Sequence, residues 1–230
     1  MQRVLITGAS RGIGRAIAEI LATPLTLLLL HGRDQKALEE TAAACKQNGA
    51  KVELLICDLS KPTLVEKMIQ QVNTSPLDVF VNNAGVGMVN PLENMTREEW
   101  DLTVAVNITA PFLLYRGLVP SMPSGSSVVN ILSGAAKSGI PGWSSYCMSK
   151  FAMDGFSKAI REELRPKGIR VINIYPNATD TDIWEQVPGD WPREKMMRPE
   201  SVAAAVKAAL NQPSNIVVED ISLGIIQGRL

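Results

Sequence analysis

The chain reads as one doubly wound α/β sheet of about seven parallel strands with helices on both faces. Three observations predict it. Short apolar runs alternate with amphipathic stretches from end to end, the runs are continuously rather than alternately hydrophobic, and a glycine-rich turn joins the first run to the first amphipathic stretch. Continuous runs suit strands covered on both faces, and parallel neighbours need a crossover, which a helix supplies.

Strands are expected at 3–7, 25–30, 51–57, 78–82, 127–133, 170–175 and 216–222, and helices at 13–22, 35–48, 61–73, 97–119, 144–165 and 199–211. Asp34 and Ser60 are placed to cap the second and third helices, and Pro62 suits a first turn. Asn48-Gly49 can stop the second helix, and Thr96-Arg97-Glu98-Glu99 has the form of a capping box. In the fourth helix Pro111 has no N–H for the carbonyl of Asn107, so that carbonyl is freed where the helix bends. Residues 177–198 carry Trp184, Pro188, Gly189, Trp191 and Pro192 and are long for a plain connection. They read as a functional loop or lid, with an ordered surface excursion as the plainer option. No linker or repeat interrupts the alternation, so residues 1–230 are expected to form a single domain.

Composition narrows the function. With 46% hydrophobic and 20% charged residues the chain is neither disordered nor fibrous. Lys and Arg balance Asp and Glu at 23 each, which removes the electrostatic basis for general nucleic-acid binding. Cys45, Cys57 and Cys147 lack C-x-x-C spacing and His31 is the single histidine, so neither a disulfide framework nor a metal site is expected. The start shows no signal-peptide pattern, and the greasiest run, 25–30, is far below the roughly 18 residues of a membrane span. A soluble cytoplasmic protein is expected.

Thr7-Gly8-Ala9-Ser10-Arg11-Gly12-Ile13-Gly14 follows the first strand and opens a helix. Glycines at 8, 12 and 14 permit a tight turn and bring backbone N–H groups and a helix dipole to an anion. The spacing departs from G-x-G-x-x-G, and tight packing alone would also use such glycines. Its place between strand and helix favours a dinucleotide pyrophosphate. Taken with Asp58, Asn82-Asn83-Ala84-Gly85, Asn107, Ser133 and Tyr146-Cys147-Met148-Ser149-Lys150, in that order over essentially the whole chain, the octapeptide resembles the short-chain dehydrogenase/reductase family.

That resemblance implies a Rossmann-like fold and a nicotinamide cofactor. Gly8, Ser10, Arg11, Gly12, Ile13 and Gly14 would hold its phosphates, and Asp58 with Leu59 the adenine. Asn83, Ala84 and Gly85 would shape the cleft, Tyr146 and Lys150 would meet the nicotinamide ribose, and Pro176 and Thr181 would lie at the nicotinamide. At the end of the second strand the discriminating acidic position falls on Gly32, which cannot repel a 2′-phosphate. Arg33 and Arg11 can clasp one, while Asp34 is assigned to helix capping, so NADP(H) is favoured over NAD(H).

At the reacting end, Tyr146 and Lys150 are one helical turn apart and share a face. A free phenol has a pKa near 10. An ammonium at ~4 Å, with an effective dielectric of about 20, would favour phenolate by roughly 4 kcal/mol, or about three pKa units. A phenol titrating close to neutrality is therefore expected. The resemblance makes Asn107, Ser133, Tyr146 and Lys150 the catalytic set. Ser133 orients the substrate oxygen, and the Asn107 carbonyl holds a water beside Lys150. A serine hydrolase is a poorer match, because His31 is the lone histidine and no G-x-S-x-G elbow is present.

Substrate selection is assigned to Val86-Gly87-Met88, to Gly139-Ile140-Pro141-Gly142-Trp143 and to the later loop. Trp143, Trp184 and Trp191 either enclose the substrate or pack the loop on the domain. Arg193, Lys195 and Arg198 either meet an anionic substrate or form a solvated face. Asn177 stands where the family commonly has glycine, in a turn whose left-handed backbone asparagine tolerates. Cys147 faces away from the tyrosine and packs. The expected protein is an NADP(H)-dependent oxidoreductase interconverting a carbonyl compound and an alcohol, working reductively. The alternatives are an NAD(H)-dependent alcohol dehydrogenase and a non-catalytic NADP-binding regulator. Carrier-bound 3-oxoacyl groups and pterin-type carbonyls both stay open as small-molecule substrates. By resemblance, helices 97–119 and 144–165 form the contacts of a homodimer or homotetramer.

Overall fold

Leu5 and Ile6 are neighbours in the chain, both fully buried, and belong to different hydrophobic layers. Successive side chains of a strand point to opposite faces, so two buried neighbours mean that both faces of this sheet are covered. The computed structural model describes residues 1–226 and 228, with Gln186 described by its backbone alone. Its strands are β1 (Gln2–Ile6), β2 (Thr26–Gly32), β3 (Lys51–Ile56), β4 (Val79–Asn82), β5 (Ser127–Ile131), β6 (Arg170–Pro176) and β7 (Asp220–Leu223). All pair in parallel in the order β3-β2-β1-β4-β5-β6-β7. The strand order reverses between β1 and β4, which opens a crevice above their carboxyl ends, as in Rossmann-like folds.

The helices are α1 (Gly12–Leu21), α2 (Gln35–Gln47), α3 (Pro62–Val72), α4 (Arg97–Val104), α5 (Ala110–Leu118), α6 (Ser144–Leu164) and α7 (Pro199–Leu210). Ile17, Leu38 and Val206 bring α1, α2 and α7 onto one face of the sheet. Val65, Leu114 and Leu164 bring α3, α5 and α6 onto the other. Asp34 caps α2 by accepting the Ala37 N–H at 3.1 Å, and Thr96 with Glu99 closes the capping box of α4. Gly49 ends the α2 turn at φ +87°, a left-handed value that favours glycine.

Four expectations change. Ser60 does not cap α3. The N-cap is Lys61, and Asp58 organises the preceding turn by accepting the Ser60 N–H at 2.9 Å. The helix expected at 97–119 is interrupted by a π turn at Ala105–Thr109, where the Ala110 N–H bonds Ala105 O. The π turn ends two positions before Pro111, which has no N–H to give the i−4 carbonyl. Strand β5 stops at Ile131, so Ser133 lies beyond the ladder on the turn that follows. Strand β7 starts at Asp220, not 216, because Val217 and Val218 pack on the core without pairing to β6.

Asn82, Asn130, Asn173 and Asp220 stand at matching register positions on β4 to β7. Asn82 Nδ2 donates to Asn130 Oδ1 at 3.1 Å, and Asn130 Nδ2 donates to Asn173 Oδ1 at 3.0 Å. Tyr115 Oη on α5 adds a donor to Asn130 Oδ1 at 2.8 Å. The three asparagines are buried yet hydrogen-bonded, as buried amides must be.

Candidate active site

The site begins where β1 ends. Gly8 and Gly12 have φ of +66° and +54°, and a Cβ on Gly14 would lie 2.1 Å from the Gly8 carbonyl oxygen. The turn therefore closes on itself only with glycine at these places. Thr7 and Asn83 tie it to β4. Thr7 Oγ1 accepts the N–H groups of Asn83 and Ala84 at 3.0 and 3.1 Å, and Asn83 Nδ2 donates to the carbonyls of Thr7 and Gly8 at 2.8 and 3.1 Å. His31 ties it to β2, since its Nδ1 accepts the Gly8 N–H at 3.2 Å. Burial holds that imidazole down at about 4, so it is neutral at pH 7.

Around the outer end of this turn, Gly32 closes β2 with its missing Cβ facing Ser10, and Asp58 follows β3 with its carboxyl held below the usual range. Burial raises that carboxyl and is outweighed by the Ser60 hydrogen bonds and by Arg33 and Lys61. Leu59 is core, with its side chain among Cys57 and Val65. Arg33 is exposed. Arg11 pairs with Asp182 at 3.4 Å, a half-exposed contact with the 177–198 loop.

The inner end opens into a cavity of about 380 Å³ at the carboxyl edge of the sheet. Of the residues singled out from sequence, Ile13, Asn83, Gly85, Ser133, Tyr146, Lys150, Pro176 and Thr181 line it. Ser133 leads the turn after β5, its Oγ accepting the Ala135 N–H at 3.1 Å. Tyr146 and Lys150 come from the first turns of α6, with Lys150 Nζ 5.5 Å from the Tyr146 ring centroid. That ammonium is buried and donates to the Ile131 carbonyl at 3.1 Å.

The expected low tyrosine pKa is not found. Burial pushes the Tyr146 phenol above its usual value, and the opposing hydrogen bond from Ser133 does not reverse it. Desolvation of the buried phenolate outweighs that hydrogen bond. The same burial lowers Lys150 to about 8, so its own charge is less secure than the sequence argument assumed.

Asn107 sits in the π turn, below the cavity. Its Oδ1 accepts the Val86 N–H at 2.9 Å, and its Nδ2 donates to Val86 O at 2.8 Å and to Ser149 Oγ at 3.0 Å. It thus fastens the segment after β4 to α6 at Ser149, one residue before Lys150. Val86, Gly87 and Met88 back the cavity rather than line it: a Cβ on Gly87 would meet Ile183 at 2.9 Å and Trp143 at 3.6 Å.

The loop at 177–198 is zipped at its base, where Asp180 N donates to Met197 O and Met197 N to Ala178 O. Trp143, Trp184 and Trp191 both line the cavity and pack on each other, with ring centroids 5.8 and 4.9 Å apart. Arg193 is held by Asp180 at 2.6 Å, and neither Lys195 nor Arg198 reaches the cavity. Asn177 is not left-handed, since no described non-glycine residue has positive φ. Its side chain is accommodated instead by Gly134, where a Cβ would lie 2.1 Å from Asn177 Oδ1. Cys147 packs with Ala135, Trp143 and Val187.

Sequence reasoning passed over the positioning work of Thr7, His31 and Ser149, and the contribution of Ile225 beyond β7 to the cavity. A threonine directly before the glycine turn was a readable signal. An isoleucine pair after the last strand was not.

The comparisons with known proteins agree with this geometry. A family model described as short chain dehydrogenase matches residues 2–190. The chain is 35% identical over 231 residues to a sepiapterin reductase of Chlorobaculum tepidum, covering 96% of this chain and 94% of that one. It is 31% identical over 233 residues to a 3-oxoacyl-[acyl-carrier-protein] reductase of Chlamydia muridarum, covering 95% and 94%. The structure of an alcohol dehydrogenase from the archaeon Thermococcus sibiricus, complexed with 5-hydroxy-NADP, superposes with a TM-score of 0.90 at 29% identity, covering 100% of this chain and 99% of that one.

Proposed function

The chain belongs to the short-chain dehydrogenase family, and from that membership we propose an NADP(H)-dependent oxidoreductase that interconverts a carbonyl compound and an alcohol. The observation that carries the proposal is that Ser133, Tyr146 and Lys150 line one cavity with Ile13, the second residue of the glycine-turn helix.

A nicotinamide dinucleotide bound here supplies hydride in reduction and takes it in oxidation. Gly8, Ser10, Arg11, Gly12, Ile13 and Gly14 would hold its phosphates, Asp58 and Leu59 its adenine, Asn83 to Gly85 its middle, and Pro176 and Thr181 its nicotinamide. The tight glycine turn at a helix N-terminus suits that group. Preference for the 2′-phosphate is supported by the bare end of β2 at Gly32, by the exposed Arg33 and by Asp34 being spent on the α2 cap. A structural relative described with 5-hydroxy-NADP points the same way.

In reduction, Tyr146 gives its phenolic proton to the carbonyl oxygen as that oxygen gains charge, and Ser133 holds the same oxygen. A phenol kept above its usual pKa remains protonated at neutral pH, which suits this direction. Lys150 stabilises the phenolate left behind, and Asn107 supports the segment between them. The 177–198 loop covers the substrate. Trp100, Phe112 and Phe151 are exposed on α4, α5 and α6, which suits a homodimer or homotetramer across those helices. We place the enzyme in the cytoplasm, in keeping with three free cysteines.

Tyr146→Phe tests the assignment. Turnover of a responsive ketone should fall at least 100-fold while NADPH binding is retained; equal turnover would refute proton transfer by Tyr146. Absence of turnover in wild type with NADPH binding intact would favour a regulator. Arg33→Ala should narrow the NADPH over NADH preference, and an unchanged preference would exclude a dominant role for Arg33.

A further inference from the structure

Three of the four tryptophans in the chain meet at one wall of the cavity. Trp143 stands edge-on to Tyr146 at 5.4 Å between ring centroids, Trp184 stands edge-on to Trp143 at 5.8 Å, and Trp191 tilts against Trp184 at 4.9 Å. The result is a continuous aromatic surface running from the phenol to the tip of the loop.

The polar ends of two of these rings are turned to other work. Trp184 Nε1 donates to Thr179 O at 2.8 Å and Trp191 Nε1 to Pro188 O at 3.1 Å. What they offer the cavity is therefore carbon. Ile140 and Ile183 extend that surface, and Gly87 leaves the space in which Ile183 and Trp143 sit.

Charge is absent from the wall. Among the described lining residues only Tyr146 and Lys150 ionise within the range of ordinary pH experiments, and both belong to the reacting end. Among the described residues the cations nearby are engaged elsewhere, Arg193 with Asp180, Arg11 with Asp182, and Lys137 with Ser222 and the Tyr175 ring. A carboxylate brought against this wall would lose its hydration and gain no partner among these residues. A volume of about 380 Å³ lies at the low end for ligand pockets and would be shared with the nicotinamide, which suits a small substrate.

We propose that the substrate is an uncharged aryl ketone, its flat ring lying against Trp184 and Trp191 and its carbonyl reaching Ser133 and Tyr146. This inference rests on the oxidoreductase reading above. Aromatic pairs in edge-to-face or offset geometry gain more than their buried area alone provides, whereas a saturated ring of the same size gains only the area.

The test compares three probes with NADPH in the whole enzyme: acetophenone, cyclohexyl methyl ketone and 4-acetylbenzoate. KM for acetophenone should be about tenfold below that for cyclohexyl methyl ketone, and 4-acetylbenzoate should be at least tenfold poorer than acetophenone. Trp184→Leu should bring the first ratio towards one, and Trp184→Phe should retain it; melting temperatures identify a variant that has merely unfolded. Acetophenone should also quench tryptophan fluorescence of the wild type at the concentrations set by its KM. Equal KM values for the aromatic and saturated ketones, or a ratio unmoved in a folded Trp184→Leu protein, would overturn the aryl assignment and leave the oxidoreductase standing. If no ketone oxidised NADPH, the aryl assignment and the enzymatic reading would fall together.

Discussion

His31 Nδ1 accepts the backbone N–H of Gly8 at 3.2 Å, while its Nε2 lies 3.0 Å from the carbonyl of Cys57. A backbone N–H can only donate, so Nδ1 is bare and Nε2 carries the proton, which goes to Cys57 O. One neutral imidazole thereby joins the glycine turn, β2 and the end of β3.

That neutrality has a pH signature. The unfolded imidazole takes a proton near 6.5, the folded one only near 4. Its stabilising effect is whole above pH 6.5 and is lost as the pH falls towards 4, by up to about 3 kcal/mol. Urea unfolding at pH 7 and 4.5 should show the loss, and His31→Gln should flatten the slope relative to wild type. Parallel slopes in the two proteins would contradict it.

Gly134 and Asn177 should behave as a pair. A Cβ on Gly134 would sit 2.1 Å from Asn177 Oδ1, so Gly134→Ala overpacks the turn after Ser133 and should cost about 1–3 kcal/mol along with activity. Adding Asn177→Gly should restore most of both. A double variant no better than Gly134→Ala would show that the clash lies elsewhere.

The reductive rate should be flat between pH 6 and 7.5, where Tyr146 stays protonated and Lys150 stays charged. Above about pH 8 the buried ammonium is lost, and kcat/KM for reduction should decline. Lys150→Arg, which keeps its charge, should move that decline upward even if the rate is low. A decline at the same pH in this variant would remove Lys150 as its source.

Arg11 has a competitor for its guanidinium. The exposed pair with Asp182 is worth at most about 1 kcal/mol. Asp182→Asn should therefore tighten NADPH binding by about two- to fivefold, most visibly at low salt. The gain should disappear in the Arg11→Ala background, as measured by NADPH fluorescence titration. An equal gain in both backgrounds would place the effect outside Arg11.

Much of the fold was legible because its signals are local. Continuous apolar runs such as 27–30 mark strands buried on both faces, and Asp34 and Thr96 act within one turn of themselves. The reacting residues were legible through spacing, since Tyr146 and Lys150 share a helix face whatever surrounds them. Some of what escaped was local: α3 begins at Lys61 with Ser60 held in the preceding turn by Asp58, and the π turn at 105–109 adds an i+5 bond beyond a simple bend. The rest depended on distant neighbours. The tyrosine pKa needed the depth of the cavity, which no interval along the chain reports. The accommodation of Asn177 needed Gly134, 43 positions earlier, and the closure of the tryptophan wall needed the loop to be seen folded back.

The row of buried amides from Asn82 to Asn173 turns strand alignment into an all-or-nothing matter. Sliding β5 by one residue would rotate Asn130 into the layer of Ile17 and Val206 and leave it, with its former neighbours, without hydrogen bonds, at about 1–3 kcal/mol for each stranded group. Greasy segments such as these tolerate many near-equivalent pairings, and the amides work as the notches of a key that only one of them turns. The accuracy with which Ser133 is delivered beside Tyr146 is thus settled three residues earlier, at Asn130 on β5, before any cofactor arrives.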